Sequence, residues 1–229
     1  MKNKIDYKVH DDIYKQTKKD GFEGWGGADY LERIKDWEKQ IEYLQKYARE
    51  WPQTGRILEL GCGEGKLSFV LARFGYNVTA IDVSETAIAW AKEKLQKQNE
   101  TIDFKVMSVV DLDCFEENAF DIVFDSLCAH CILGADRKIM FDHIYRILKE
   151  GGVFILNSIC GGKESANLAF REYFDEKTNY SHRNGVPYRY IGTEDDLVAE
   201  LTRSNFILIK KEIFYRDGKQ NNARILVKK

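Results

Sequence analysis

The chain has 229 residues, 44% of them hydrophobic, a length and composition that fit one α/β domain with a substantial core and exclude a disordered chain. Thirty-five Lys and Arg face 37 Asp and Glu, leaving a net charge of -2. The basic excess with which a protein neutralises nucleic-acid phosphates is missing, so a small or neutral partner is favoured.

The N-terminal segment from Met1 to Lys19 is charged and reads neither as a signal peptide nor as a membrane span. Within it the run Lys15 to Lys19 reads as a solvated surface. Five cysteines (Cys62, Cys114, Cys128, Cys131 and Cys160) form an odd set without a secreted-type framework, so reduced thiols and a cytoplasmic location are expected. Between residues 21 and 27 lies a glycine-rich loop with two exposed-looking aromatics, Phe22 and Trp25. Tyr30, Leu31, Ile34, Trp37, Ile41, Leu44 and Tyr47 then recur at the spacing of one helical face, which predicts an amphipathic helix over 29–49.

From Arg56 onward short apolar runs alternate with helical patterns. Strands are predicted at 56–60, 77–81, 102–107, 120–125 and 153–158, with helices over 64–74, 84–98 (capped by Ser84) and 136–149. A further helix follows over 193–204, capped by Thr193. Strands at 206–216 and 223–227 flank the turn signal Asp217-Gly218-Lys219 and read as a hairpin. Alternating strands and helices predict a mostly parallel sheet with helices on both faces. One domain is expected: a helical cap over 1–50, a core over 56–229, and an aromatic and basic insertion over 161–191.

The strand ending at Leu60 runs into Gly61-Cys62-Gly63-Glu64-Gly65. Glycines let the backbone turn sharply and a ligand approach the main chain. Dinucleotide-binding proteins use a similar loop, but here Lys66 stands where their third glycine belongs, and Glu64 would repel a pyrophosphate. Acidic neighbours instead attract a cationic ligand. Asp82 ends the second strand, where a carboxylate accepts hydrogen bonds from ribose hydroxyls or stabilises the helix after it.

With LELGCGEG at 58–65, AIDVS at 80–84, FDIVFDSLCAHCI at 120–132 and LKEGGVFIL at 148–156, the chain resembles the class I S-adenosylmethionine-dependent methyltransferases. The resemblance implies a Rossmann-like seven-stranded sheet of order 3-2-1-4-5-7-6 with the last strand antiparallel. It implies S-adenosyl-L-methionine as cofactor and S-adenosyl-L-homocysteine as product. Carried over, Glu59, Gly61, Cys62 and Gly63 hold the methionine part, Asp82 the ribose, and Val83 lies against adenine. Where many members have an aspartate for the adenine amino group this chain has Ser108, followed by Val109; Asp111 comes three residues late. Asp125 opens the segment beside the transferable methyl.

In that segment Ala129-His130-Cys131 stands where many small-molecule members carry a leucine and two histidines. His130 is the candidate catalytic residue: it either acts on the acceptor and its proton or packs under the cofactor. The Asn/Asp-Pro-Pro-aromatic signature of amino-group methylation of bases and glutamine is absent. Trp25, Tyr30, Tyr188 and Arg189 are the candidate acceptor residues, drawn from the N-terminal region and the insertion. In those two segments Tyr7, Tyr14, Phe170, Tyr173, Phe174, Tyr180, His182 and Tyr190 are further aromatics, with Arg171 and Arg183 basic beside them.

The expected function is methyl transfer to nitrogen, oxygen or sulfur of a small molecule, without nucleic acid or membrane and with a homodimer allowed. Two alternatives stay open: a thiol or metalloid methyltransferase using Cys128, Cys131 and Cys160, and a dinucleotide-binding oxidoreductase. No resident metal is expected.

Overall fold

The computed structural model describes Tyr7 and residues 9–170, 173–215 and 220–229. Seven strands form the main sheet: β1 (Gly55–Leu60), β2 (Tyr76–Asp82), β3 (Ile102–Val106), β4 (Phe120–Asp125), β5 (Leu148–Cys160), β9 (Ile207–Phe214) and β10 (Asn221–Lys228). Their order is β3-β2-β1-β4-β5-β10-β9. β1 to β5 are mutually parallel; β10 runs antiparallel to both its neighbours, Ile225 facing Leu156 on one side and Lys211 on the other. This is the order that the resemblance implies. The turn at 217–219 lies outside the described residues.

The inner strands β1, β2, β4 and β5 are buried on both faces along most of their length, as central strands of a helix-covered sheet must be, whereas the edge strand β9 is largely exposed. One core face gathers Leu58, Val123, Phe154 and Ile225 against α5 (Ala135–Ile147) and α7 (Glu194–Arg203). The opposite face gathers Ile57, Phe124 and Ile155 against α2 (Tyr30–Tyr47), α3 (Lys66–Arg73) and α4 (Glu85–Leu95). Trp37 of α2 packs edge-on against Phe124 at 5.8 Å, which fixes this helix to the sheet. Of the predicted α2 stripe, Ile41 and Leu44 are buried, whereas Leu31 and Tyr47 at its two ends are exposed.

Several boundaries differ from the sequence expectation for local reasons. α3 starts at Lys66, not at Glu64, because Gly65 precedes it with φ +84°, a left-handed conformation that cannot continue a helix. α5 ends at Ile147, and β5 begins at Leu148, five residues earlier than expected, because Leu148 is already extended and pairs with Phe120 before an irregularity in the ladder. Both predicted caps form: the Ser84 hydroxyl accepts from the Ala87 amide, and Thr193 and Asp196 make a reciprocal capping box.

Two further units cover the carboxyl ends of the parallel strands. The first is α1 (Val9–Lys19), whose Asp11 carboxylate accepts from the Ser84 hydroxyl at 2.6 Å and the Thr86 amide at 2.9 Å. An acidic side chain at the start of α4 satisfies donors that the helix itself cannot, so α1 is anchored at that point. The second is the insertion, which holds α6 (Gly162–Phe170) and a small antiparallel sheet of β6 (Phe174–Asp175), β7 (Tyr180–Arg183) and β8 (Val186–Tyr190).

Candidate functional site

In the parallel register Leu60 lies beside Ile81 and Asp125, so β1, β2 and β4 end together and their following loops share one rim. Ligands of open α/β sheets bind at such a place. At the centre is the glycine loop. Gly61 and Gly63 both have positive φ, +68° and +56°. A Cβ on Gly61 would lie 2.5 Å from the Cys128 Cβ, and one on Gly63 would run into the Tyr14 hydroxyl. The loop is therefore a surface that only glycine makes, with α1 laid across it.

Asp82 organises the loop. Its two carboxylate oxygens accept from the Gly63 amide at 2.9 Å and the Ser84 amide at 2.8 Å, tying the turn after β1 to the turn after β2. Each carboxylate oxygen keeps lone-pair capacity for another donor. Val83 is half-buried between Asp82 and the cap of α4. Ser108 and Val109 follow β3 on the same rim, next to Met107, whose amide donates to the Asp82 carbonyl at 2.9 Å.

Four carboxylates are buried around this rim: Glu59, Glu64, Asp82 and Asp125. Burial raises Glu59 to about 7, with Glu64 and Asp82 adding to it and a hydrogen bond from the Ser68 hydroxyl opposing it. Burial likewise raises Asp82 to about 6 and Asp125 to about 7, against the amides that donate to them. Asp125 Oδ1 accepts from the Cys128 and Ala129 amides at 3.0 and 2.8 Å and so holds the turn after β4. Its Oδ2, and Oε1 of Glu59, are buried without a hydrogen-bond partner. Buried acceptors that lack donors are costly, and clustered carboxylates repel one another. Both conditions are relieved by a bound cation.

His130 sits in a short 3-10 turn, Ala129–Cys131, and is buried. Its Nε2 receives the Arg189 guanidinium from β8, and Arg189 also reaches Cys131 Sγ at 3.4 Å. Burial, followed by the charge of Arg189, lowers the His130 pKa well below its ordinary value. Arg137 underpins the same turn: it donates to the carbonyls of Ala129 at 2.5 Å and Ile132 at 3.1 Å and forms a bidentate pair with Glu200 at 2.7 Å. Removing one member of such a buried pair strands the other. Arg137→Leu is expected to lose about 3 kcal/mol, which for a chain of this size is roughly 6–12 °C in calorimetric Tm. A drop below about 2 °C would show that the turn does not depend on it.

Of the candidate acceptor residues, the structure brings Trp25, Tyr188 and Arg189 into one neighbourhood. His10, which the sequence did not single out, links them: its ring lies 5.6 Å from Tyr188 and 6.0 Å from Trp25. Trp25 is not the exposed loop aromatic expected, since it packs on Tyr14 at 5.2 Å, whereas Phe22 is exposed. Tyr30 stands apart, its ring 4.7 Å from Lys66 Nζ and 4.5 Å from Lys94 Nζ. Tyr14 emerges as a site residue through its place over Gly63. Its sequence signal was only an aromatic in a polar helix. Arg171 and the Phe170 side chain lie outside the described residues.

The cysteines do not gather. Cys128 and Cys131 belong to the rim, where burial pushes both thiols up, while Cys160 pairs with Asn221 in the sheet and has Glu194 and Lys211 as its charged neighbours. Among the described residues no group of three or more His, Cys, Asp or Glu is placed to hold a metal ion. No helix among them is long and apolar enough to cross a membrane.

Comparison with known proteins adds a family to this geometry. Residues 58–156 match the methyltransferase domain family. The chain is 35% identical over 124 residues to the ribosomal protein L11 methyltransferase of Dictyoglomus thermophilum, covering 54% of this chain and 38% of that protein. It is 37% identical over 121 residues to the ubiquinone biosynthesis O-methyltransferase of Xanthomonas axonopodis, covering 52% and 48%. The matches thus span about half or less of these curated relatives. A solved 1,6-didemethyltoxoflavin-N1-methyltransferase of Burkholderia thailandensis, with bound 1,6-didemethyltoxoflavin and S-adenosylhomocysteine, superimposes with a TM-score of 0.67 over 100% of this chain and 93% of that one. At 14% identity that likeness is one of fold.

Proposed function

We propose that this chain, whose residues 58–156 match the methyltransferase domain family, is a class I S-adenosylmethionine-dependent methyltransferase that transfers a methyl group to a nitrogen, oxygen or sulfur atom of a small molecule. The observation that carries this reading is the ring of buried carboxylates around the glycine loop, with Asp125 Oδ2 and Glu59 Oε1 still lacking donors. When bound, S-adenosylmethionine supplies a methyl already activated on a sulfonium, and S-adenosylhomocysteine remains. The chain's own task is then to bind, orient and exclude water, and orientation alone supplies up to roughly 7–11 kcal/mol in favourable systems.

In this reading Glu59 and the amides around Gly61, Cys62 and Gly63 hold the amino-acid end. Asp82 accepts from the ribose, Val83 packs on adenine, and Ser108 and Val109 serve its polar edge. Asp125 shapes the turn beside the methyl, and Trp25, Tyr188, Arg189 and His130 form the acceptor side. Tyr30, next to Lys66 and Lys94, is left as part of the cap.

A small acceptor is favoured over a polypeptide because α1 and the insertion both lie over the rim, with Tyr14 packed on Gly63 and Arg189 on His130. A net charge of -2 speaks against a nucleic-acid partner. Five free cysteines fit a reducing compartment, and we place the protein in the cytoplasm, as a single domain capped by residues 1–50 and free to dimerise. The cysteine-based alternative loses ground because Cys160 is apart from Cys128 and Cys131. Incubating the protein with methyl-labelled S-adenosylmethionine and a metabolite extract should move label into a compound of low mass, identified by mass spectrometry. Label found only in protein or RNA would defeat the small-molecule reading.

A further inference from the structure

One face of α1 is fitted to α4 along its length. Asp11, Tyr14 and Lys18 recur at the three- and four-residue spacing that puts side chains on one side of a helix. Asp11 meets the first turn of α4, Tyr14 packs with Ala87 and Trp90, and Lys18 pairs with Glu93 at 2.6 Å. The Asp11 contact is the firmest of the three. Its carboxylate is 17% exposed and accepts two hydrogen bonds, whereas Lys18 and Glu93 are 41% and 56% exposed, and surface pairs of that kind contribute little. Two lysines of the core grip the loop that follows α1. Lys66 of α3 donates to the Trp25 carbonyl at 2.6 Å, and Lys94 of α4 donates to the Glu23 carbonyl at 2.5 Å and the Tyr30 hydroxyl at 2.9 Å.

The Asp11 contact also reaches the glycine loop. Asp11 Oδ1 accepts from the Ser84 hydroxyl, the Ser84 amide donates to Asp82 Oδ1, and the Gly63 amide donates to Asp82 Oδ2. α1, the cap of α4, the end of β2 and the glycine loop are thus joined by one continuous line of hydrogen bonds. One turn beyond Asp11, the Tyr14 hydroxyl closes on the same Gly63 from above.

We propose that α1 is a latch over the cofactor and that Asp11 is a positioning residue, which holds α1 down and, through Ser84, aims the Asp82 carboxylate. The proposal rests on the methyltransferase reading and concerns entry to and exit from that same site. A ligand laid along Gly61 to Gly63 lies beneath Tyr14, so it comes and goes only when α1 lifts from α4. A few hydrogen bonds at one end of a short helix resist that lifting, which places α1 at the low-stability end of the structure. Opening steps of this kind set the rate of product release in many enzymes. A latch acts in both directions: weakening it speeds entry as well as exit. A residue that only supports the binding surface speeds exit and leaves entry unchanged or slower.

The test measures S-adenosylhomocysteine kinetics on the full chain, association by stopped-flow tryptophan fluorescence and dissociation by chase of labelled ligand. Asp11→Ala should speed dissociation at least tenfold and association at least threefold. Asp11→Asn, which keeps Oδ1 as an acceptor, should lie between wild type and alanine in both rates. Lys94→Met frees the loop but leaves Asp11 in place, and should move both rates the same way by less. In hydrogen exchange, the amides of residues 9–19 should open at least fivefold faster in Asp11→Ala while those of β1 and β4 keep wild-type rates. Bound S-adenosylhomocysteine should slow residues 9–19 in the wild type. Association that is unchanged or slower in Asp11→Ala, or exchange over residues 9–19 that neither the substitution nor the ligand alters, overturns the proposal. Failure of the wild type to bind S-adenosylhomocysteine would instead strike the methyltransferase reading beneath it.

Discussion

Asp82→Ala is expected to weaken S-adenosylhomocysteine binding by at least 100-fold in calorimetric titration. Two contributions add. A carboxylate that accepts from ribose hydroxyls makes charge-assisted bonds worth about 1.5–3 kcal/mol each, and about 2.7 kcal/mol already amounts to 100-fold. The same carboxylate holds the amides of Gly63 and Ser84, so its removal also releases the glycine loop from the second turn. Loss of these acceptors leaves two buried donors unpaired, and the ligand-free protein should melt lower as well. Asp82→Asn keeps one acceptor and should fall between wild type and alanine in both measurements. An affinity within threefold of wild type in Asp82→Ala would mean that the ligand does not lie where β2 ends.

The second large effect is a dependence on pH. Glu59 and Asp125 lie at about 7 and Asp82 at about 6, all raised chiefly by burial. In the unfolded chain these groups titrate near 4. Between about pH 4 and 7 the native protein thus holds protons that the unfolded chain has released, so the ligand-free protein becomes less stable as pH rises through that window. Binding a cation has the opposite preference, because it favours the ionised carboxylates and expels their protons. Affinity for S-adenosylmethionine should therefore rise on the order of tenfold from pH 5.5 to 8, while the ligand-free Tm falls. Titration in buffers of different ionisation enthalpy should show proton release. Glu59→Gln should flatten both curves, and a pH-independent affinity would show that the carboxylates are not paired with the ligand's charge.

The sheet was legible because periodicity and caps agreed, and its order because a few motifs resemble those of a known family. The glycine loop and Asp82 were legible for a different reason: left-handed backbone and a strand-ending carboxylate constrain residue type locally. The start of α3 was misplaced because Gly65 looks like any loop glycine until its φ is known. The strand start at Leu148 was hidden because the same residues also continue a helical pattern. The acceptor side was less legible still. His10, Tyr14, Trp25, Tyr188 and Arg189 meet through contacts between segments more than 100 residues apart, and neither spacing nor composition encodes that meeting. His130 shows the limit well: the sequence supplies an imidazole at the rim, but not the Arg189 guanidinium that the fold lays against it.

The most direct measurement is calorimetric titration of the purified chain with S-adenosylhomocysteine and, in parallel, with NAD. One site for S-adenosylhomocysteine, no heat from NAD, and loss of that site in Asp82→Ala is the predicted result. Binding of NAD with no binding of S-adenosylhomocysteine would contradict the assignment of the glycine loop and make the chain a dinucleotide-binding protein instead.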